Sequence, residues 1–122
     1  MIDKDYSFYT KIRGVAQVNS NGSKRQTLIK HLKVDQPVHC VREPNNPYDK
    51  NAIAVYDTEN NQLGYFSADL AHSYAREMDK GLRLMATISS LTGGFLRKRG
   101  VNLHVIVVPA PKPIKKTKPI RS

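Results

Sequence analysis

An amide, an aromatic ring and a carboxylate lie close together in one short polar segment. Asn46, Tyr48 and Asp49 fall within four consecutive positions, with Pro47 between the first two. A tyrosine ring stacks on nucleobases, which contributes about 1–3 kcal/mol per base in single-strand binding. A carboxylate repels phosphate, so Asp49 suits a nucleic-acid site only if it accepts a hydrogen bond from a hydroxyl or a base amine. We therefore take these three side chains as candidate binding residues.

The segment that carries them is predicted to be a stiff loop between two strands. Pro44 and Pro47 fix their own φ angles and bias the preceding residues toward extended geometry. Asn46, Asp49 and Asn51 are residue types that hydrogen-bond nearby backbone and hold tight turns. The alternative is purely structural: the amides and prolines build the turns, and the tyrosine ring covers one end of the fold.

Charge is a second indication of a polyanionic ligand. The 122-residue chain has 20 Lys and Arg against 10 Asp and Glu, a net charge of +10. Half of the excess lies after Val108, where five basic residues and no acid occur. A basic domain with a basic arm suits nucleic acid, whereas a solvated basic surface is the alternative.

Length and composition predict one small domain, residues 1–108, followed by a basic Pro- and Lys-rich tail without regular structure, residues 109–122. No apolar run approaches the roughly 20 residues that span a bilayer, and no signal-peptide pattern opens the chain. The single cysteine, Cys40, has no partner for an internal disulfide. We expect a cytoplasmic protein, nucleoid-associated in a bacterium, with no membrane partner.

The residues that often perform catalysis form no recognised group. His39 and Cys40 are neighbours on a predicted strand, so their side chains point to opposite faces. The four histidines lack metal-ligand spacing, and there is no phosphate-binding GxxxxGK[ST] motif. We expect no enzyme activity, no metal and no cofactor.

Hydrophobic periodicity predicts six strands and two helices. The strands cover residues 6–18, 38–42, 52–57, 63–66, 82–91 and 101–108. Ser23 is predicted to cap a helix over 24–32, and Ser67 a second helix that runs to residue 80. This order is typical of a small, mainly β fold, and the spacing leaves open an OB-like barrel or another α+β sheet.

The string REPNNPYDKNAI at residues 42–53, followed by LGY at 63–65, resembles the HIRAN domain family. That family occurs alone in bacteria and phages, and fused to fork-remodelling ATPases in eukaryotes. The resemblance extends over roughly residues 6–108. It implies a mainly β (α+β) fold: a six-stranded, partly open OB-like β-barrel with two flanking helices.

The resemblance also implies a function, that of a non-catalytic module that captures the 3′-hydroxyl end of single-stranded DNA. Asn46, Tyr48 and Asp49 match the positions that contact the terminal nucleotides. Asp49 is then expected to accept a hydrogen bond from the 3′-hydroxyl and to reject a 3′-phosphate. Expected roles are DNA repair, replication or phage DNA metabolism, with a helicase-type ATPase or a nuclease as the candidate protein partner. Oligomeric state stays open.

The chain departs from the family pattern at several positions. Thr10 and Lys11 stand where the pattern has an Arg-Tyr pair, and Tyr9, Lys11 and Arg13 are candidate substitutes on one strand face. Tyr65 replaces a histidine, which keeps a ring for stacking, and Ala68 replaces a lysine. These changes bear on 3′-end specificity more than on the fold.

A cluster of basic residues before the last predicted strand is a candidate phosphate clamp. Arg97 and Lys98 lie there beside flexible glycines, and a solvated hairpin tip is the equal alternative. The basic tail is expected to add nonspecific, salt-sensitive affinity.

Two other functions compete with DNA binding. A protein-interaction adaptor would use the polar loop to bind a partner protein and the basic tail to bind nucleic acid nonspecifically. A nuclease would need a carboxylate or histidine cluster, which the sequence does not display.

Overall fold

One antiparallel sheet of six strands organises the chain, and a computed structural model describes residues 6–111 of it. The strands are β1 (Ser7–Lys11), β2 (Pro37–Arg42), β3 (Ile53–Tyr56), β4 (Gln62–Tyr65), β5 (Arg83–Thr92) and β6 (Gly100–Val108). The helices are α1 (Arg25–Ile29), between β1 and β2, and α2 (Ala68–Asp79), between β4 and β5. The strand order across the sheet is β1-β6-β5-β2-β3-β4.

The sheet curls until its two edges meet. Just beyond β1, Arg13 exchanges two backbone hydrogen bonds with Tyr65 at the end of β4, at 2.7 and 2.9 Å. Gly64 lies against this bridge so closely that an added Cβ would overlap the carbonyl oxygen of Arg13. The predicted six-stranded, partly open OB-like barrel with two helices is confirmed as a curled half-barrel.

The core fills the inside of the curl. On β5 the inward residues Leu84, Ala86 and Ile88 are buried, while the alternate residues Arg83, Met85 and Thr87 are exposed. The same alternation buries four residues of β6: Val101, Leu103, Val105 and Val107. The predicted period-2 pattern of these two strands is therefore confirmed.

Helix α2 packs one side on the sheet. Ser67 caps it as predicted, because the Ser67 hydroxyl accepts a hydrogen bond from the backbone N–H of Leu70 at 3.2 Å. Ala71 and Ala75, one turn apart on the same face of the helix, are buried. The helix therefore begins and faces the core as its sequence indicates.

An ion pair fixes the far end of α2 to β2. The Arg42 guanidinium donates to both carboxylate oxygens of Asp79, at 2.9 and 3.1 Å, and to the carbonyl of Ala52 at 2.8 Å. Arg42 beside it lowers the pKa of the exposed Asp79 carboxyl. The same guanidinium thus links α2 to the residue that precedes β3.

The predicted first strand is too long, because regular pairing ends at Lys11. Gly14 takes a φ of +75°, a conformation that favours glycine, and there the chain leaves the sheet direction. The prediction that residues 6–18 form one strand is therefore wrong beyond Lys11.

The first helix is shorter than predicted, and Ser23 does not cap it. Lys24 is the N-cap residue, without a side-chain hydrogen bond, and the hydroxyl of Ser23 donates to Oδ1 of Asn21 at 2.7 Å instead. After Ile29 the backbone tightens into a turn in which Leu32 bonds to Ile29. Helix α1 thus has five residues where nine were predicted.

The last strand ends at Val108, where the predicted tail begins. Residues 112–122 of that tail lie outside the described residues. Within residues 6–111, neither helix has the length and hydropathy needed to cross a membrane.

Candidate nucleic-acid interface

The segment from residue 43 to residue 52, called here the NPYD loop, is closed at its base by backbone hydrogen bonds. The N–H of Glu43 donates to the carbonyl of Ala52 at 2.9 Å, and the N–H of Ala52 donates to the carbonyl of Asp49 at 3.0 Å. A tight turn inside the loop joins the N–H of Asn46 to the carbonyl of Glu43 at 3.0 Å. The predicted stiff loop between two strands is what the structure shows.

Asn46 organises the loop from within. Its Oδ1 accepts from the backbone N–H groups of Tyr48 and Asp49, at 2.8 and 3.1 Å. Its Nδ2 donates to Oε1 of Glu43 at 2.9 Å and lies 3.4 Å from the hydroxyl of Tyr65. The amide oxygen thus holds the backbone of Tyr48 and Asp49, and the amide nitrogen joins this framework to Glu43 and Tyr65.

Tyr48 and Asp49 are presented outward by this framework. The Tyr48 residue is 94% exposed, which leaves its ring free for an incoming planar group. One carboxylate oxygen of Asp49 accepts from the N–H of Asn51 at 2.8 Å. No donor among residues 6–111 contacts the other oxygen, so Asp49 retains a free acceptor.

The NPYD loop forms one wall of a cleft of about 760 Å³. The opposite side comes from the segment after β1, from α1 and from the end of β4. The lining residues are Gln17, Arg25, Glu43, Pro44, Asn45, Asn46, Pro47, Tyr48, Asp49, Ala52, Tyr65, Phe66 and Ala68. Two carboxylates and one guanidinium are the charged groups of this lining.

The two carboxylates differ in their bonding. Oε1 of Glu43 accepts from the hydroxyl of Tyr65 at 2.8 Å as well as from Asn46. Burial raises the pKa of the Tyr65 hydroxyl, which therefore stays protonated and keeps donating to Glu43. Oε1 of Glu43 is thus bonded to two side chains, whereas the bonded oxygen of Asp49 accepts from one backbone N–H, and the second oxygen of each carboxylate has no donor within residues 6–111.

Arg25 supplies the guanidinium, and sequence reasoning did not single it out. It is only 5% exposed, although it lies at the start of α1. Its Nε donates to Oδ1 of Asn19 at 2.7 Å and its Nη1 to the carbonyl of Gly14 at 2.9 Å. Its guanidinium carbon lies 5.7 Å from the ring centroid of Tyr65, a cation–π distance. In the sequence it follows Lys24, and no motif separates it from surface charge.

The other predicted binding residues divide into two groups. Tyr65 lines the cleft with Asn46, Tyr48 and Asp49, as does Ala68, the position of the expected lysine. Lys11 and Arg13 are exposed outside the lining, although the backbone of Arg13 pairs with that of Tyr65. The structure therefore places a tyrosine ring, with no cation from β1, at this side of the cleft.

Comparison with known proteins assigns the family. The HIRAN domain profile matches residues 6–112. The chain belongs to the HIRAN domain family. Over 48 residues it is 56% identical to the helicase-like transcription factor of Oryctolagus cuniculus and 51% identical to that of Homo sapiens. Each match covers 39% of this chain and 5% of the relative, so this HIRAN chain aligns with about a twentieth of their length.

Solved structures agree with this assignment. The crystal structure of the HIRAN domain of human HLTF superposes with a TM-score of 0.65 at 26% identity, over 85% of this chain and 76% of that one. The NMR structure of the HLTF HIRAN domain in its DNA-bound conformation gives 0.56 at 26% identity, over 85% and 75%. A Lactobacillus plantarum protein shares the fold, with a TM-score of 0.60 at 24% identity over 83% and 99%.

The hairpin between β5 and β6 lies beside the helix that carries Arg25. Gln26 of this HIRAN domain accepts from the N–H of Arg99 at 2.7 Å and donates to its carbonyl at 2.9 Å. Arg97 and Lys98 are exposed at the tip and do not line the cleft. Two hydrogen bonds of Gln26 thus join the base of this hairpin to α1.

The residues considered for catalysis lie apart from the cleft. Burial raises the pKa of the Cys40 thiol to about 12, which makes it a poor nucleophile at neutral pH. His39, its neighbour on β2, is exposed while Cys40 is half-buried. Among residues 6–111 of this HIRAN domain, no three His, Cys, Asp or Glu side chains are placed to hold a metal ion.

Proposed function

We propose that this HIRAN domain binds single-stranded DNA at its 3′-hydroxyl end and catalyses no reaction. The observation that carries the proposal is the pairing of a 94% exposed tyrosine, Tyr48, with the adjacent Asp49, whose carboxylate has a free oxygen. The ring offers a stacking surface for a base, and the oxygen offers an acceptor for a hydroxyl. A base and a hydroxyl occur together at a strand terminus, and the 3′ terminus is the one that the family resemblance implies.

Each cleft residue has a role in this proposal. Tyr48 stacks on the terminal base, and Asp49 accepts the hydrogen bond of the 3′-hydroxyl. Asn46 positions both, because its amide oxygen holds their backbone N–H groups. Tyr65 closes the cleft floor through its bond to Glu43. A 3′-phosphate would bring a second anion against the Asp49 carboxylate and is expected to be rejected.

The relatives support DNA as the ligand. HLTF, whose HIRAN domain is 26% identical to this chain, has been solved in a DNA-bound conformation. By the same likeness we propose a role in DNA repair or replication, with a helicase-type ATPase or a nuclease as partner. Outside the cleft, Lys11, Arg13, Arg97 and Lys98 are proposed to contact the phosphate backbone as the strand departs.

A binding panel tests the proposal on the full chain. We use duplexes closed at one end by a loop, with a 3′ overhang, a 5′ overhang or a blunt end, beside a single strand. Because stacking on Tyr48 needs an unpaired 3′ end, the 3′ overhang should bind about 10-fold more tightly than the 5′ overhang. Fluorescence anisotropy at fixed, moderate salt gives the Kd values, and equal affinity for both overhangs would contradict the proposal.

A protein-interaction adaptor is the second candidate, and one observation favours it. Phe95 and Leu96 at the β5–β6 hairpin tip are 83% and 89% exposed, more than apolar side chains usually are. Because moderate salt weakens the nonspecific binding of a basic tail, an adaptor would show no measurable binding to any oligonucleotide of the panel. The same titrations therefore separate the two candidates.

A further inference from the structure

A buried positive charge without an acidic partner stands out in the cleft. Arg25 is 5% exposed, and arginine is rarely buried to this degree unless it is paired. The salt bridge found within residues 6–111 joins Arg42 to Asp79, so no described carboxylate lies within 4.0 Å of the Arg25 guanidinium. Glu43, which lines the same cleft, is bonded to Tyr65 instead.

The protein engages two nitrogens of the Arg25 guanidinium, Nε and Nη1, and leaves the third, Nη2, without a partner among residues 6–111. Nε bonds to Asn19, and Nη1 bonds to Gly14 and lies 3.4 Å from Oε1 of Gln17. No acceptor within residues 6–111 contacts Nη2. Every buried side-chain nitrogen or oxygen of those residues has a hydrogen-bond partner, so Nη2 is not sealed in the core. Because Arg25 lines the cleft, this free donor is reached from there.

Burying a guanidinium among neutral acceptors is costly, and an anion in the cleft would offset that cost. The bonds to Asn19 and Gly14 fix the guanidinium plane before any ligand arrives, so little side-chain entropy is lost on binding. The face over the Tyr65 ring is already occupied by the cation–π contact. What remains available is an in-plane N–H, the geometry in which arginine binds phosphate oxygens.

We infer that Arg25 binds one phosphodiester of the DNA strand whose 3′ end lies against Tyr48 and Asp49. The inference rests on the proposed function, because it uses the same strand in the same cleft. It assigns the recognition of backbone charge inside the cleft to α1, and not to the exposed cations Lys11 of β1 and Arg13 just beyond it. Neutralising one phosphodiester linkage near the 3′ end should therefore weaken binding more than neutralising any other linkage.

The test changes the ligand first, so that it does not depend on how a variant folds. In a set of 3′-hydroxyl oligonucleotides, each of the last four linkages is replaced in turn by a neutral methylphosphonate. One replacement should weaken binding to the unaltered chain by roughly 10- to 100-fold, the range for hydrogen bonds to charged groups. The remaining replacements should cost less than about 3-fold, as expected for screened contacts.

A variant then links that phosphate to the side chain. Arg25→Gln should bind the unmodified strand more weakly than the unaltered chain does, by a similar factor in Kd. It should also bind the unmodified strand and the strand with the critical methylphosphonate equally well. Arg83→Gln, which removes an exposed cation of β5 outside the cleft, should keep the full sensitivity. Thermal unfolding of both variants shows whether Arg25→Gln is folded.

The outcomes separate this inference from the proposed function. If 3′-overhang preference holds but all replacements have equally small effects, the Arg25 inference is overturned and the 3′-end proposal stands. A folded Arg25→Gln variant that still senses the critical linkage would also overturn it. If the 3′ and 5′ overhangs bind with equal affinity, the proposed function itself is contradicted, and the Arg25 inference fails with it.

Discussion

Replacing Tyr48 by alanine is expected to weaken single-strand binding by about 1–3 kcal/mol, or roughly 5- to 150-fold in Kd, the range measured for base stacking. The ring is 94% exposed and packs on nothing in the free protein. Its loss should therefore change the thermal unfolding midpoint very little. Anisotropy titrations with a 3′-hydroxyl strand measure the effect directly.

Two variants control this prediction. Tyr48→Phe keeps the stacking surface and should bind nearly as tightly as the unaltered chain. Tyr9→Ala removes another highly exposed tyrosine, 71% exposed on β1 and stacked on His104, outside the cleft. Equal losses for Tyr48→Ala and Tyr9→Ala would show that stacking in the cleft is not what binds the strand.

Replacing Gly64 by alanine is expected to destabilise the fold by about 3 kcal/mol, the upper end for overpacking in a close-packed interior. The new methyl group would overlap the carbonyl of Arg13 and lie 2.5 Å from Cγ2 of Ile12. To relieve this overlap, the chain must break the two backbone hydrogen bonds between Arg13 and Tyr65 that join the edges of the sheet. Urea unfolding measures the loss, and DNA binding should fall as well because Tyr65 lines the cleft.

Gly22→Ala is the matched control for backbone conformation. Gly22 has a φ of +90°, and no atom would lie within 4 Å of an added Cβ. Its replacement should cost only the penalty of a left-handed residue, about 1–2 kcal/mol. If the two variants have equal free energies of unfolding, or Gly64→Ala has the higher one, the explanation by steric overlap fails.

The parts of the fold that could be predicted are those specified by local pattern. The alternation along β5 and β6 indicated their buried faces, because a half-buried strand repeats every two residues. Ser67 indicated the start of α2 through its ability to accept from the first turn. The stiffness of the NPYD loop followed from Pro44 and Pro47.

The parts that could not be predicted depend on contacts distant in sequence. From the sequence alone Arg25 resembles an ordinary surface charge. Only the fold places its guanidinium over the ring of Tyr65 and within hydrogen-bond distance of the Gly14 carbonyl. Likewise β1 ends at Lys11, and two residues later the backbone of Arg13 pairs with Tyr65 of β4, a partner distant in sequence. The sequence predicted that Asn46 could hold a turn, but not that its amide nitrogen would bond to Glu43, which also accepts from the distant Tyr65.

The chemistry of the strand end tests the central claim most directly. Matched oligonucleotides ending in a 3′-hydroxyl, a 3′-hydrogen or a 3′-phosphate are titrated against the unaltered chain and against Asp49→Asn. The account predicts that the 3′-hydroxyl strand binds about 10- to 100-fold more tightly than the 3′-phosphate strand, the range for a hydrogen bond to a charged group. The 3′-hydrogen strand should fall between them, and Asp49→Asn should lose most of the discrimination. Equal affinity of the unaltered chain for the hydroxyl and phosphate ends would contradict the account.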